Sequence, residues 1–327
     1  MKYRAIGKTG VQVSSLCFGT MSFGGNADEE ASKAMFKRCR EVGINFFDTA
    51  DVYSQGRSEE ILGKCIAHER DNVVLSTKVF WPTSADVNGR GLSRRHIIQG
   101  VEASLRRLKT DYIDFYFVHD FDPRTPMEET IQVLDDLQRQ GKILYSAVSN
   151  WAAWQIAMAL GISAREHLAC FELIQPMYNL VKRQAEVEIL PFAVSQQIGV
   201  ISYSPLGAGL LTGKYGVNKR PNQGRLVQEK RYTDRYGDEM NFIVAERFTA
   251  YASERGIHPA TLAVAWVMAN PAITAPIIGA RNLEQFEYSL AAIDIDMTPE
   301  WRDEISALSI TPAPATDRTE TLLPIWT

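Results

Sequence analysis

Cysteine is scarce and scattered: Cys17, Cys39, Cys65 and Cys170 form no Cys-x-x-Cys pair and have no histidine placed to complete a zinc site. A disulfide framework and a structural metal are therefore not expected, and the four thiols read as reduced and mostly buried. Long apolar runs are missing too. No stretch of about 18 apolar residues occurs, and Met1 to Thr20 carries Lys2, Arg4 and Lys8 without a signal-peptide core, so the expectation is a cytoplasmic protein with no membrane partner. Basic residues are scattered with no long run, and the net charge is −4, which argues against nucleic acid as a partner. No low-complexity segment, proline-rich linker or constant repeat period divides the chain.

What is present is the balance of a globular protein: 45% hydrophobic and 23% charged residues over 327 positions exclude disorder and suffice for a large core. Short β-rich apolar runs alternate with segments of helical period, the pattern of a parallel sheet with crossover helices. The expected strands are Leu16–Gly19, Asn45–Phe47, Val73–Thr77, Ile113–Val118, Ile143–Val148, Phe171–Gln175, Val200–Tyr203 and Ala275–Ile278. That count predicts a (β/α)8 TIM barrel, and we expect residues 1–327 to form one such domain.

Helices are expected at Glu29–Glu41, Ser58–Ala67, Ser93–Leu108, Met127–Arg139, Ala185–Gln196 and Leu283–Ala291. Ser93 is a natural N-cap for Ile97, Val101, Leu105 and Leu108, which recur at three- and four-residue intervals. An N-terminal β-hairpin, Lys2–Ala5 and Val11–Ser14, precedes the barrel. Near the other end, additional helices are expected at Asn241–Arg255, Pro259–Asn270 and Pro299–Leu308, followed by a tail, 309–327. The stretch Leu206 to Glu239 reads as a long functional loop after the seventh strand.

In this frame Asp48, Lys78 and His119 fall at successive strand ends, on the carboxyl rim where barrel enzymes gather their chemistry, and Tyr53 follows in the next loop. Singly, each has a plain structural explanation: a helix cap, a surface lysine, a buried histidine, a core aromatic. Together they suit carbonyl reduction, which needs a hydride on carbon and a proton on the developing alkoxide. A free tyrosine titrates near 10, and a neighbouring ammonium favours its phenolate; Lys78 can supply that charge, Asp48 can anchor the lysine, and His119 can orient the substrate oxygen.

The stretches Asn45-Phe46-Phe47-Asp48-Thr49-Ala50-Asp51-Val52-Tyr53, Gly56-Arg57-Ser58-Glu59-Glu60-Ile61-Leu62-Gly63 and Leu105-Arg106-Arg107-Leu108-Lys109-Thr110-Asp111-Tyr112-Ile113-Asp114 resemble the aldo-keto reductase family. The resemblance runs from the hairpin to about residue 310. It implies the barrel, an NADPH/NADP+ cofactor, a small carbonyl or alcohol substrate, and roles for the four residues: Tyr53 as acid/base, Lys78 and Asp48 as its electrostatic support, His119 as orienting group.

By the same resemblance Ser149, Asn150 and Gln175 look like carboxamide binders and Tyr203 like the aromatic beneath the nicotinamide. Ser204, Leu206, Gly207, Gly209 and Leu211, with Lys214, resemble the loop around the pyrophosphate, where small residues let backbone N–H groups approach. Gly207, Gly209 and Gly213 lack the spacing of a doubly wound dinucleotide fingerprint, and Ala208 and Tyr215 break a P-loop. Gly279, Arg281 and Gln285 resemble the segment holding the adenosine 2′-phosphate, which suits the planar fork of arginine. Tyr288 and Ser289 stand where the family carries an acidic or amide pair against adenine, and that is a departure. Met21, Phe23, Phe80, Trp81, Phe121 and Trp151, with Trp326 from the tail, are candidates to line the substrate pocket.

Two other readings stay open. Potassium-channel β subunits of this family use the same fold as cofactor-holding regulators, and an alcohol or aldose dehydrogenase would run the reaction in reverse. Oligomeric state leaves no mark in the sequence.

Overall fold

The structure, a computed structural model, describes residues 1–318; Trp326 and the end of the tail lie outside the described residues. Strands β1 (Tyr3–Ala5) and β2 (Gln12–Ser14) form an antiparallel hairpin. Eight parallel strands follow among the described residues: β3 (Cys17–Gly19), β4 (Phe46–Asp48), β5 (Val74–Val79), β6 (Ile113–Val118), β7 (Ile143–Ser149), β8 (Phe171–Gln175), β9 (Gly199–Ser202) and β10 (Ala275–Ile278). Because β10 pairs with both β9 and β3, the sheet closes into a (β/α)8 TIM barrel.

Strand alternation sorts the apolar residues into two layers. Phe46, Phe115, Phe117, Ala147, Leu173 and Ile201 fill the interior, with Ile6 and Val13 of the hairpin packed onto the same cluster. On β6 the intervening Tyr116 and Val118 belong to the outer layer, between strands and helices. Gly7, at φ 50°, lets the hairpin press on the chain before β9, since a Cβ there would lie 2.4 Å from the Gln197 carbonyl oxygen.

Helices α1 (Glu29–Glu41), α2 (Arg57–Ile66), α3 (Arg94–Leu108), α4 (Met127–Arg139), α5 (Ala153–Glu166) and α6 (Ile189–Ser195) follow β3 to β8 in turn. The Ser93 hydroxyl accepts from the His96 backbone N–H at 3.3 Å and starts α3 as expected. After β9 come α7 (Arg225–Gln228), α8 (Lys230–Tyr236), α9 (Glu239–Glu254) and α10 (Pro259–Met268), and after β10 come α11 (Leu283–Leu290) and α12 (Pro299–Ser306).

Three expectations need correcting. The helix expected over Ala185–Gln196 is a 3-10 turn, Gln184–Glu186, followed by the short α6, because Pro191 has no N–H to donate and belongs in a first turn. Helix α5 was not foreseen: its outward face carries Trp154, Ala157, Met158 and Gly161, which blurs the amphipathic period. Residues 206–239 are not plain loop, for they contain a 3-10 segment, Gly207–Thr212, and the helices α7 and α8.

Candidate active site

Asp48 is the last residue of β4 and Lys78 lies near the end of β5; they are 2% and 0% exposed. The Lys78 ammonium donates to Asp48 Oδ2 at 2.6 Å and to the Thr49 carbonyl at 2.7 Å. Asp48 Oδ1 accepts from Ser76 Oγ at 2.8 Å and from Gln175 Nε2 at 3.0 Å. Burial presses against the Lys78 charge, but Asp48 outweighs it and the lysine is held above its ordinary value. The pair is thus a fixed, hydrogen-bonded charge in the barrel mouth.

Tyr53 stands over that charge, with Lys78 Nζ 5.1 Å from its ring centre. The turn that places it is unusual, because Ser54, Gln55 and Gly56 follow in succession at φ 48°, 56° and 86°. Left-handed backbone at the two non-glycine positions costs on the order of 1–3 kcal/mol each. Burial raises Tyr53 above 10.0 and outweighs the pull of Lys78, which lowers the phenol as expected. Tyr53 therefore carries its proton at neutral pH.

His119, just beyond β6, meets Tyr53 edge to face with ring centres 6.0 Å apart. Burial and, next, the Lys78 charge push its pKa well below 6.5, so the imidazole is neutral, and its buried Nδ1 has no partner among the described residues. Asn150, at φ 60°, donates from Nδ2 to the His119 carbonyl at 2.9 Å and accepts from the Tyr203 hydroxyl at 2.8 Å. Ser149 donates to the Gln175 carbonyl at 2.9 Å. The structure therefore brings Asp48, Tyr53, Lys78, His119, Ser149, Asn150, Gln175 and Tyr203 to one rim.

Beyond Tyr203 the backbone is left-handed at Ser204, Gly207, Ala208, Gly209 and Gly213. Lys214 covers this turn, for a Cβ on Gly209 would come 3.2 Å from its Cε. Burial and then the charges of Arg281 and Arg225 lower the Lys214 pKa, so the three cations lie close together, and none forms an ion pair with a carboxylate among the described residues. Leu211 is fully buried, which makes its side chain packing rather than lining. Gly279 lies close to β3, where a Cβ would meet the Gly19 carbonyl at 3.0 Å. Gln285 accepts from the Arg281 N–H at 3.4 Å. Tyr288 stacks on His258 at 3.8 Å and Ser289 is buried, while nearby Glu287 is held by Arg38 at 2.7 Å.

Of the pocket candidates, Phe80 and Trp81 pack edge to face at 5.0 Å, and Phe121 meets Trp151 at 5.1 Å. Met21 is half-buried. Phe23 is fully buried against Phe18 and belongs to the core, a correction to its place in the pocket. The exposed Trp154 lies 6.5 Å from Phe121 and was overlooked. So was Asp51, 2% exposed, neither of whose carboxylate oxygens has a side-chain partner among the described residues; burial and then Glu59 push it up to about 8. Its position inside the Asp48–Tyr53 stretch was the available signal.

A family model described as the Aldo/keto reductase family matches residues 15–310. The chain belongs to the aldo/keto reductase family. The chain is 38% identical to an uncharacterized oxidoreductase, YrpG, of Bacillus subtilis (strain 168), over 92% of this chain and 93% of that one. It is 37% identical to a probable voltage-gated potassium channel subunit beta of Oryza sativa subsp. japonica, over 94% of this chain and 96% of the relative. A putative subunit of the same name in Schizosaccharomyces pombe is 35% identical over 95% and 94%. Among the described residues no helix is long and apolar enough to cross a membrane.

Proposed function

We propose that this aldo/keto reductase reduces aldehyde or ketone carbonyls to alcohols with NADPH, Tyr53 giving the proton, and that residues 1–327 work as one barrel domain. The observation that carries the reading is the buried Lys78–Asp48 pair at 2.6 Å beneath a protonated Tyr53. NADPH, when bound, supplies the hydride that reaches the carbonyl carbon. As charge builds on the substrate oxygen, the Tyr53 O–H bond breaks and the alcohol O–H bond forms; the phenolate left behind faces the Lys78 ammonium. Asp48 keeps that ammonium in place, and neutral His119 fixes the substrate oxygen without competing for the proton.

Residues to hold the cofactor are at hand: Ser149, Asn150 and Gln175 for the carboxamide, Tyr203 for the ring face, and Gly207 to Gly209 with Lys214 and Arg225 for the pyrophosphate. Arg281 suits the 2′-phosphate. Three neighbouring cations without carboxylates are a fit for phosphate groups in an acidic protein.

The relatives' names as channel subunits favour a second reading, a cofactor-holding regulator. Multiple-turnover NADPH oxidation with aromatic aldehydes, sugars, diketones and cyclic ketones separates the two. Catalytic turnover on any of these supports the reductase; a single stoichiometric oxidation or none supports the regulator.

A further inference from the structure

Helix α8 is pinned beside the catalytic mouth. Asn179 Nδ2 donates both to the Ser204 carbonyl at 2.9 Å and to the Tyr236 hydroxyl at 3.2 Å, and that hydroxyl reaches Met177 Sδ at 3.4 Å. The end of α8 is thereby fixed next to the residue that follows Tyr203. Tyr232 and Tyr236, one turn apart, are buried, and the half-buried Arg235 lies between them with its guanidinium carbon 5.8 Å from the Tyr232 ring centre. Burial lifts the Tyr203 phenol to about 12, against the opposing pull of the Arg235 charge.

The neighbours of Arg235 are compensated: Lys230 pairs with Asp234 at 2.7 Å and Arg231 with Glu229 at 3.0 Å. Arg235 has no carboxylate partner among the described residues. Asp120 also faces Tyr203 but makes no ion pair with Arg235. Lys214, Arg225 and Arg281 have the cofactor phosphates to meet; Arg225 and Arg235 flank the same Tyr232 ring at 5.5 and 5.8 Å, and of these two it is Arg235, on the helix turn pinned beside Ser204, whose charge acts on Tyr203. A half-buried guanidinium there is uncompensated until an anion arrives.

We propose that Arg235 recognises an anionic group on the substrate, so that the preferred substrates are carbonyl compounds bearing a carboxylate or phosphate a few atoms from the reacting carbon. This rests on the reductase reading, which places the nicotinamide at Tyr203 and the carbonyl at Tyr53. A charge-assisted bidentate contact is worth about ten- to a hundredfold in affinity.

The test uses two matched pairs: para-carboxybenzaldehyde against its neutral isostere para-formylbenzamide, and glyceraldehyde phosphate against glyceraldehyde. The wild-type protein should favour at least one charged member by about tenfold or more in kcat/KM, and the pair showing the preference identifies carboxylate or phosphate. Arg235→Gln should bring that ratio close to one, mainly through KM, with the Kd for NADPH unmoved; Arg235→Lys should restore part of it. Asp120→Asn, which removes a like charge from the mouth, should raise the ratio. Turnover of the neutral aldehydes without charge preference in the wild type overturns the inference and leaves the reductase intact. A parallel rise in the Kd for NADPH assigns Arg235 to the cofactor, and a ratio lowered by Asp120→Asn assigns it to an ion-pair latch; either outcome overturns the inference. No NADPH oxidation with any of the four compounds removes the reductase reading and this inference together.

Discussion

The rim of the barrel and the loop beyond β9 face the same mouth and handle charge in opposite ways. On the rim, Asp48 accepts from three donors and Lys78 finds two oxygens, all on or beside strands. In the loop, Lys214, Arg225 and Arg235 meet no carboxylate among the described residues, nor does Arg281 after β10, and the backbone just before Lys214 turns left-handed at Gly207, Ala208 and Gly209. The difference teaches how the labour is divided. Groups that act on bonds must be in place before the reaction, and strands with internal partners achieve that. Groups that hold a ligand can leave their charge for the ligand to meet.

The sharpest way to break this comparison is at Tyr53. Tyr53→Phe keeps the ring, so we expect kcat to fall by at least ~10²-fold while the Kd for NADPH stays put. Steady-state kinetics beside fluorescence titration reads both, and near-normal turnover would end the assignment. In the opposite region, Arg281→Ala should weaken NADPH by about ten- to a hundredfold and leave NADH nearly untouched, since the 2′-phosphate is the difference between them. Equal losses would move phosphate recognition to another residue.

A smaller effect separates the two directions of reaction. The proposed reduction would use protonated Tyr53, which burial holds above 10.0, and neutral His119, which lies well below 6.5. Initial-rate profiles should therefore be flat for reduction between those limits, while alcohol oxidation climbs with pH across the same range as phenolate forms. A reduction profile with an acid limb near 6.5 would contradict the neutral imidazole.

The smallest effect sharpens the contrast between Asp48 and Asp51, both 2% exposed. Asp51 moves from 3.8 in the unfolded chain to about 8 when folded, so between those values the native state holds a proton that the unfolded chain releases. Stability accordingly falls as pH rises through that window. Asp51→Asn removes the dependence, and its Tm relative to wild type should rise steadily from the acid to the alkaline end. A constant Tm difference would mean that Asp51 is charged in the native protein.

The eight barrel strands were legible because their apolar runs are short, β-branched or aromatic, and bounded by turn residues. Where Pro191 interrupts a helical period, or where α5 turns Trp154 and Met158 outward, periodicity misled. At the site, Asp48, Lys78 and His119 could be placed because strand ends are countable. Asn179, Tyr236 and Arg235 were not, since their approach to Tyr203 and Ser204 depends on how a folded excursion settles onto the barrel. Phe23 shows the converse: proximity to a strand end in sequence says nothing of which layer its ring enters.

Closure of the barrel has a consequence for how it assembles. The seam runs along β10, which shares two register positions with β3 and two with β9, against five between β6 and β7. Joining β10 to β3 means bringing together segments separated by most of the chain, so its loop entropy must be met before the contact returns anything. The β5 to β8 staves can pair early from neighbouring stretches, and the last stave should lock late. Arg281 lies just past that stave, so the grip we propose for the adenosine phosphate is built at the joint that finishes last.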